Sequence, residues 1–148
     1  MQQIGQLFGK LLPFAATFVA GVVASFGSGF VREFFEERNR VATHKRNVAR
    51  HVLKICIEAS TNNFRCYPYE KIESIHSVLV DLEGINNQIE KELTQFVGLW
   101  RTISELYLKS WLNMEGKEHL SESLKSIERK RKILILWANS LRVGRNLS

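Results

Sequence analysis

Two prolines, Pro13 and Pro68, and nine glycines, five of them before residue 30, leave the remainder of this 148-residue chain poor in turn-formers. That scarcity argues against a loop-rich or many-stranded fold. No stretch alternates apolar and polar residues with period two, so strands are not expected. Cys56 and Cys66 form no metal-binding or redox motif; thiols are expected to stay reduced in a basic cytosolic-type domain, and a disulfide is open to them only if the domain is exported. His76 and His119 stand alone, and no His/Cys/carboxylate cluster has metal-ligand spacing. No glycine-rich loop follows a strand, and no Ser/His/Asp set can be placed. The pattern therefore offers no metal, no cofactor and no evident small-molecule substrate.

Charge is also missing from Leu11 to Val31, a run of 21 residues. That length fits one transmembrane helix, and about 115 residues then remain for one small domain. Projected at 100° per residue, the run sorts by size and polarity. Gln2, Gln3, Gln6, Lys10, Pro13, Thr17, Ala20, Gly21, Ala24 and Ser28 share an arc of roughly 100°. Leu7, Phe8, Leu11, Phe18, Val19, Val22, Phe26 and Phe30 lie opposite. Ala16, Ala20, Ala24 and Ser28 recur every four residues and Gly5 with Gly9 makes a GxxxG pair, a pattern that lets helix backbones approach closely. Polarity on the same face predicts a multi-helix ring with a wettable lumen, because a lysine facing hydrocarbon costs roughly 3 kcal/mol at mid-membrane. Near the end of the span, Lys10 can instead snorkel to the interface.

Lys10 and the amino terminus flank the run on one side; Arg32, Arg38, Arg40, Lys45, Arg46, Arg50 and Lys54 flank it on the other. The positive-inside rule then predicts a single-pass protein of the inner (cytoplasmic) membrane with its C-terminal domain in the cytoplasm. The competing reading is a cleaved signal peptide cut near Ala24 or Ser28, which the length of the apolar run and the positive charge after it oppose. The expected domains are a transmembrane helix over 1–31 and a cytoplasmic helical domain over 32–148.

Within that domain, residues 32–54 are net +4, residues 55–116 net −4 and residues 117–148 net +5, so an acidic middle can pack between basic ends of one chain or of neighbouring subunits. Gly27 and Gly29 predict a bend or break where the helix leaves the membrane. Phe34, Val41, Val48, Val52, Ile55 and Ala59 then follow helical spacing, and 61–68 reads as a loop. Ile72, Ile75, Leu79 and Leu82 mark the next helix, Gly84 a break or kink, and Ile89, Leu93, Phe96, Trp100, Ile103 and Tyr107 another. A turn around Asn113, Glu115 and Gly116 precedes a last stripe of Leu120, Leu124, Ile127, Leu134, Trp137 and Leu141. The fold class is all-α: one N-terminal membrane helix and a bundle of three to four helices, with Trp100, Trp111 and Trp137 expected in its core or between subunits. Arg129, Lys130, Arg131 and Lys132 form the densest basic run, a contact for anionic lipid or RNA, or a solvated face.

Arg46-Asn47-Val48-Ala49-Arg50-His51 resembles the R-N-x-x-x-H motif of the HEPN superfamily, small helical-bundle domains that include metal-independent ribonucleases acting as dimers. The resemblance covers these six residues and a helical context. It implies that Arg46 would stabilise a scissile phosphate, His51 would act as general acid or base and Asn47 would assist. Histidine titrates near neutrality and arginine grips phosphate bidentately, so the residue types suit that chemistry. Five positions apart, however, Arg46 and His51 sit about 140° apart on an ideal helix and converge only at a helix start or across a dimer. With the membrane helix, the motif is similar to the membrane accessory protein of type VI-B CRISPR systems, which implies a ring of subunits whose N-terminal helices form a pore during antiviral defence. Three functions follow as expectations: a homo-oligomeric pore or membrane-disrupting protein that touches lipid, a membrane-tethered HEPN-like ribonuclease, and a non-catalytic anchor that recruits RNA or a protein partner.

Overall fold

The structure, a computed structural model, describes residues 2–109 and 114–143, with side chains from residue 21 onward except those of residues 22, 23, 25, 26 and 143. Among the described residues the chain is all-helical. Helix α1 spans Gln2–Thr61, a short 3-10 turn spans Tyr69–Lys71, and α2, α3 and α4 span Ile72–Glu83, Asn87–Leu108 and Met114–Val143. Two units divide the chain, Met1–Ala42 and Thr43–Ser148.

The described residues of the first unit all belong to α1. Gly27 and Gly29 do not break the helix, so the break that the sequence reading offered beside a bend is absent. A helical glycine costs only about 1 kcal/mol against alanine, and neighbours on both sides continue the helix. Every residue from Gly27 to Val41 is exposed, so Phe34 (54%) and Val41 (44%), the first members of the apolar stripe, are not core. Among the described residues no helix is long and apolar enough to cross a membrane. The expected span over 1–31 falls on side chains that lie largely outside the described residues.

The second unit is the bundle. The predicted stripe becomes core from Val48 onward, with Val48, Val52, Ile55 and Ala59 joined by Ala49 and Cys56. Helix α1 ends on left-handed Asn63 (φ 48°) and Phe64 (φ 60°), where the Phe64 N–H donates to the Ala59 carbonyl at 2.8 Å. A left-handed residue with a Cβ is disfavoured by about 1–2 kcal/mol. Burial of the Phe64 ring against Phe96 offsets it, and a fully buried phenylalanine is worth roughly 1.5–3 kcal/mol. The connecting segment is therefore part of the core, since Tyr67 and Pro68 are buried too. Tyr67 stands edge-on to Trp100, ring centroids 5.4 Å apart.

Gly84 terminates α2 as expected, and Asn86 caps α3 by accepting the Gln88 and Ile89 N–H groups at 3.1 and 3.2 Å. The face of α3 carrying Ile89, Leu93, Phe96, Trp100 and Ile103 is buried as its spacing predicts, and α3 packs against both α2 and α4. Helix α4 buries Ser123, Ile127, Leu134 and Ala138. It begins at Met114, so Glu115 and Gly116 form its first turn instead of a connecting turn. Asn113 and Trp111 lie outside the described residues. Trp100 is core and Trp137 half-buried.

Candidate functional site

Residues 46–51 occupy the middle of an unbroken α-helix. Arg46 is half-buried, while Asn47 and His51 are exposed. Helical rotation places Arg46 and His51 about 140° apart, so one chain does not aim them at a common point.

His51 instead borders a cavity of about 150 Å³ in the bundle. Helix α1 contributes His51, Lys54, Ile55 and Glu58; Pro68 and Lys71 come from the connection, Ser74, Ile75 and Val78 from α2, and Trp100 from α3. The spacing 51, 54/55, 58 follows one face of α1, a polar row beside the core stripe. Glu58 and Lys71 are bound as an ion pair across the cavity wall, and that hydrogen bond holds the Lys71 ammonium above the ordinary lysine range. Trp100 is almost wholly buried (1%), and its indole N–H has no hydrogen-bond partner among the described residues. An unmet buried donor of this kind costs about 1–3 kcal/mol.

Beneath the connection, the Ser104 hydroxyl accepts the Tyr67 N–H at 3.1 Å and donates to the Arg65 carbonyl at 3.0 Å. The Arg65 guanidinium lies over the Tyr107 ring at 5.0 Å. Burial raises the Tyr67 phenol above its ordinary value, against the lowering effect of nearby Arg101. Cys56 is buried, and desolvation pushes its thiol up to about 12 despite the Arg131 charge; Cys66 is exposed, and neither is in a disulfide.

The basic run on α4 divides. Lys130 reaches α3, its Nζ 2.8 Å from Glu92 Oε2 but off the axis of a directed hydrogen bond, and Arg131 pairs with Glu128 at 2.9 Å. Arg129 and Lys132 remain exposed and border an open groove along α4 with Lys117, Lys125 and the half-buried Leu120 and Leu124. Of the four residues of the basic run, Arg129 and Lys132 thus share this groove with two lysines from earlier turns.

Of the small polar face, Gly21, Ala24 and Ser28 are exposed, whereas Gln6, Lys10, Pro13, Ala16, Thr17 and Ala20 lie outside the described residues as far as their side chains go. No group of His, Cys, Asp and Glu among the described residues could hold a metal ion. Sequence reasoning missed Lys54, Glu58, Lys71, Ser74 and the role of Trp100; the only local signal was the polar row at helical spacing on α1. Comparison with protein-family models, with curated proteins and with solved structures finds no match.

Proposed function

We propose that this chain is a membrane-anchored helical-bundle protein that works by self-assembly, its N-terminal helices forming a multi-helix pore in the inner membrane. The observation that carries the reading is the exposure of Phe30 (74%), Val31, Phe34 and Phe35 on the same continuous helix that contains the uncharged run from Leu11 to Val31. Two pairs of large apolar side chains left exposed within six residues call for lipid or another subunit. Arg32, Arg38 and Arg40 follow at once, with the Arg38 guanidinium 5.8 Å from the Phe34 ring centre, a pairing of aromatic and cation suited to the headgroup level. In this reading the small face from Gln6 to Ser28 packs helix on helix and lines the lumen, and lipid covers the phenylalanines opposite. The basic side chains of 32–54 keep the bundle in the cytoplasm. The divergence of Arg46 and His51 makes the ribonuclease reading the weaker one.

The test is the mass of the detergent-extracted complex by native mass spectrometry, followed by ion flux from proteoliposomes. A ring of about five or more subunits that conducts, and that Ala24→Leu disperses while leaving membrane insertion intact, supports the proposal. A monomer, or a ring that never conducts, overturns the pore and leaves an anchor.

A further inference from the structure

The cavity beside His51 has a composition that points to a ligand of its own, independent of the membrane reading. Its walls are of two kinds. Ile75, Val78 and Trp100 supply apolar surface, and Lys54, Lys71 and His51 supply donors. Polar and apolar surface line it in comparable measure, and a few convergent polar groups set beside apolar surface are what orient a ligand in small-molecule sites. At about 150 Å³ the space is close to that of an apolar cavity able to hold one benzene ring. Glu58 neutralises one of the two lysines, so the lining carries a net charge of +1 before any contribution from His51, which matches a monoanion better than a phosphate. Lys54 forms no ion pair among the described residues, although every other charged lysine or glutamate of the lining has one. Trp100 lines the same wall, and its buried N–H is a donor without an acceptor among the described residues.

We propose that this cavity binds a small organic carboxylate, the apolar body against Val78, Ile75 and Trp100 and the carboxylate held by Lys54. Apart from the polar row on α1, the site is hidden from sequence reading because its residues come from three helices and the connection between two of them. A ligand here touches α1, α2 and α3 together, and so binds only the assembled bundle.

The experiment uses the full chain in detergent micelles, labelled with ¹⁵N at the tryptophan indoles, the Trp100 resonance being assigned by elimination with Trp111→Phe and Trp137→Phe. Benzoate is titrated as the probe, with benzyl alcohol and inorganic phosphate as comparison ligands. Saturable movement of the Trp100 indole resonance is expected at a Kd on the order of 1 mM, as suits so small a ligand. Lys54→Met, which keeps the aliphatic stem and removes the charge, is expected to weaken benzoate at least about tenfold, roughly the effect of losing one charge-assisted contact. Benzyl alcohol is expected to bind correspondingly less well to the unaltered protein and equally to both proteins. The proposal is overturned by an absence of saturation, by equal shifts of all three indole resonances as micelle partitioning would give, by phosphate matching benzoate, or by Lys54→Met leaving the benzoate affinity unchanged.

Discussion

Ser104→Ala isolates how the connection between α1 and α2 is held. Ser104 is 3% exposed, and its hydroxyl is at once the acceptor for the Tyr67 N–H and the donor to the Arg65 carbonyl. Alanine removes the hydroxyl, and both of its hydrogen bonds with it. The Tyr67 N–H is then stranded, at about 1–3 kcal/mol. Arg65 is exposed, so its carbonyl recovers part of its loss from solvent. The expected total is about 2 kcal/mol. For a bundle of roughly a hundred residues that lowers Tm by about 8 °C, followed by near-ultraviolet circular dichroism of the detergent-solubilised chain. Thr102→Ala is the control, because the Thr102 hydroxyl donates only to the Gly98 carbonyl one turn back at 3.1 Å, an acceptor with its own helical partner. Its expected effect is below about 0.5 kcal/mol. Faster hydrogen exchange at the Tyr67 amide in Ser104→Ala, with exchange in α3 unchanged, would locate the loss at the connection. If the two variants melt within about 2 °C of one another, the Ser104 clamp contributes nothing and the reasoning fails.

Cys66 is expected to react with iodoacetamide at pH 8 within minutes, while Cys56, buried and with its thiol raised to about 12, reacts only after unfolding; equal rates by intact mass would refute the burial argument. Because the folded state keeps the Cys56 proton above its ordinary value of 9.0, this group favours unfolding as pH rises from there towards 12, so chemical denaturation midpoints should fall across that window. Lys130→Met leaves Glu92, only 13% exposed, without its counter-charge and is expected to cost about 2 kcal/mol, less than the full penalty for a wholly buried pair; most of that should return in the double variant with Glu92→Leu, and a double variant no better than the single would contradict it. Asn86→Ala removes the acceptor for two N–H groups at the start of α3 and is expected to cost about 1 kcal/mol in urea denaturation, whereas Asn86→Ser should restore most of it.

Period and punctuation carried the bundle. The three-to-four spacing of Ile89, Leu93, Phe96, Trp100 and Ile103 marks a buried face whatever covers it, and Gly84 followed by Asn86 is a stop and a start written in adjacent residues. What stayed hidden depends on rotation and on distance along the chain. Four consecutive basic residues span most of a helix's circumference at 100° each, so Arg129 to Lys132 were bound to face different surroundings, and Lys130 and Arg131 were drawn into ion pairs. The 150 Å³ cavity joins residues as far apart as His51 and Trp100, and Ser104 in the core reads locally as a misplaced polar residue until the backbone of Arg65 and Tyr67 is set against it.

The stripe on α1 makes the same point with functional weight. Phe34, Val41, Val48, Val52, Ile55 and Ala59 repeat at one spacing, yet Val48 and Val52 are buried while Phe34 and Val41 are exposed. Periodicity says that a face is apolar; it does not say what covers it. From Val48 onward the bundle is the cover. Upstream the same periodic face, together with Phe30, Val31 and Phe35, is exposed. An exposed apolar row of this length is disfavoured in water, and in the proposed membrane assembly its cover comes from outside the chain. On that proposal the cover is lipid or a second copy, and the two differ in dependence on concentration. A lipid-covered face binds to vesicles at any subunit density, whereas a face covered by another copy is protected from solvent only as the subunits associate. Hydrogen–deuterium exchange has no hold on side chains, so the readout is carbene footprinting of Phe34 and Phe35 across a range of protein-to-lipid ratios: protection that rises with subunit density assigns the face to assembly, and protection independent of it assigns the face to the bilayer.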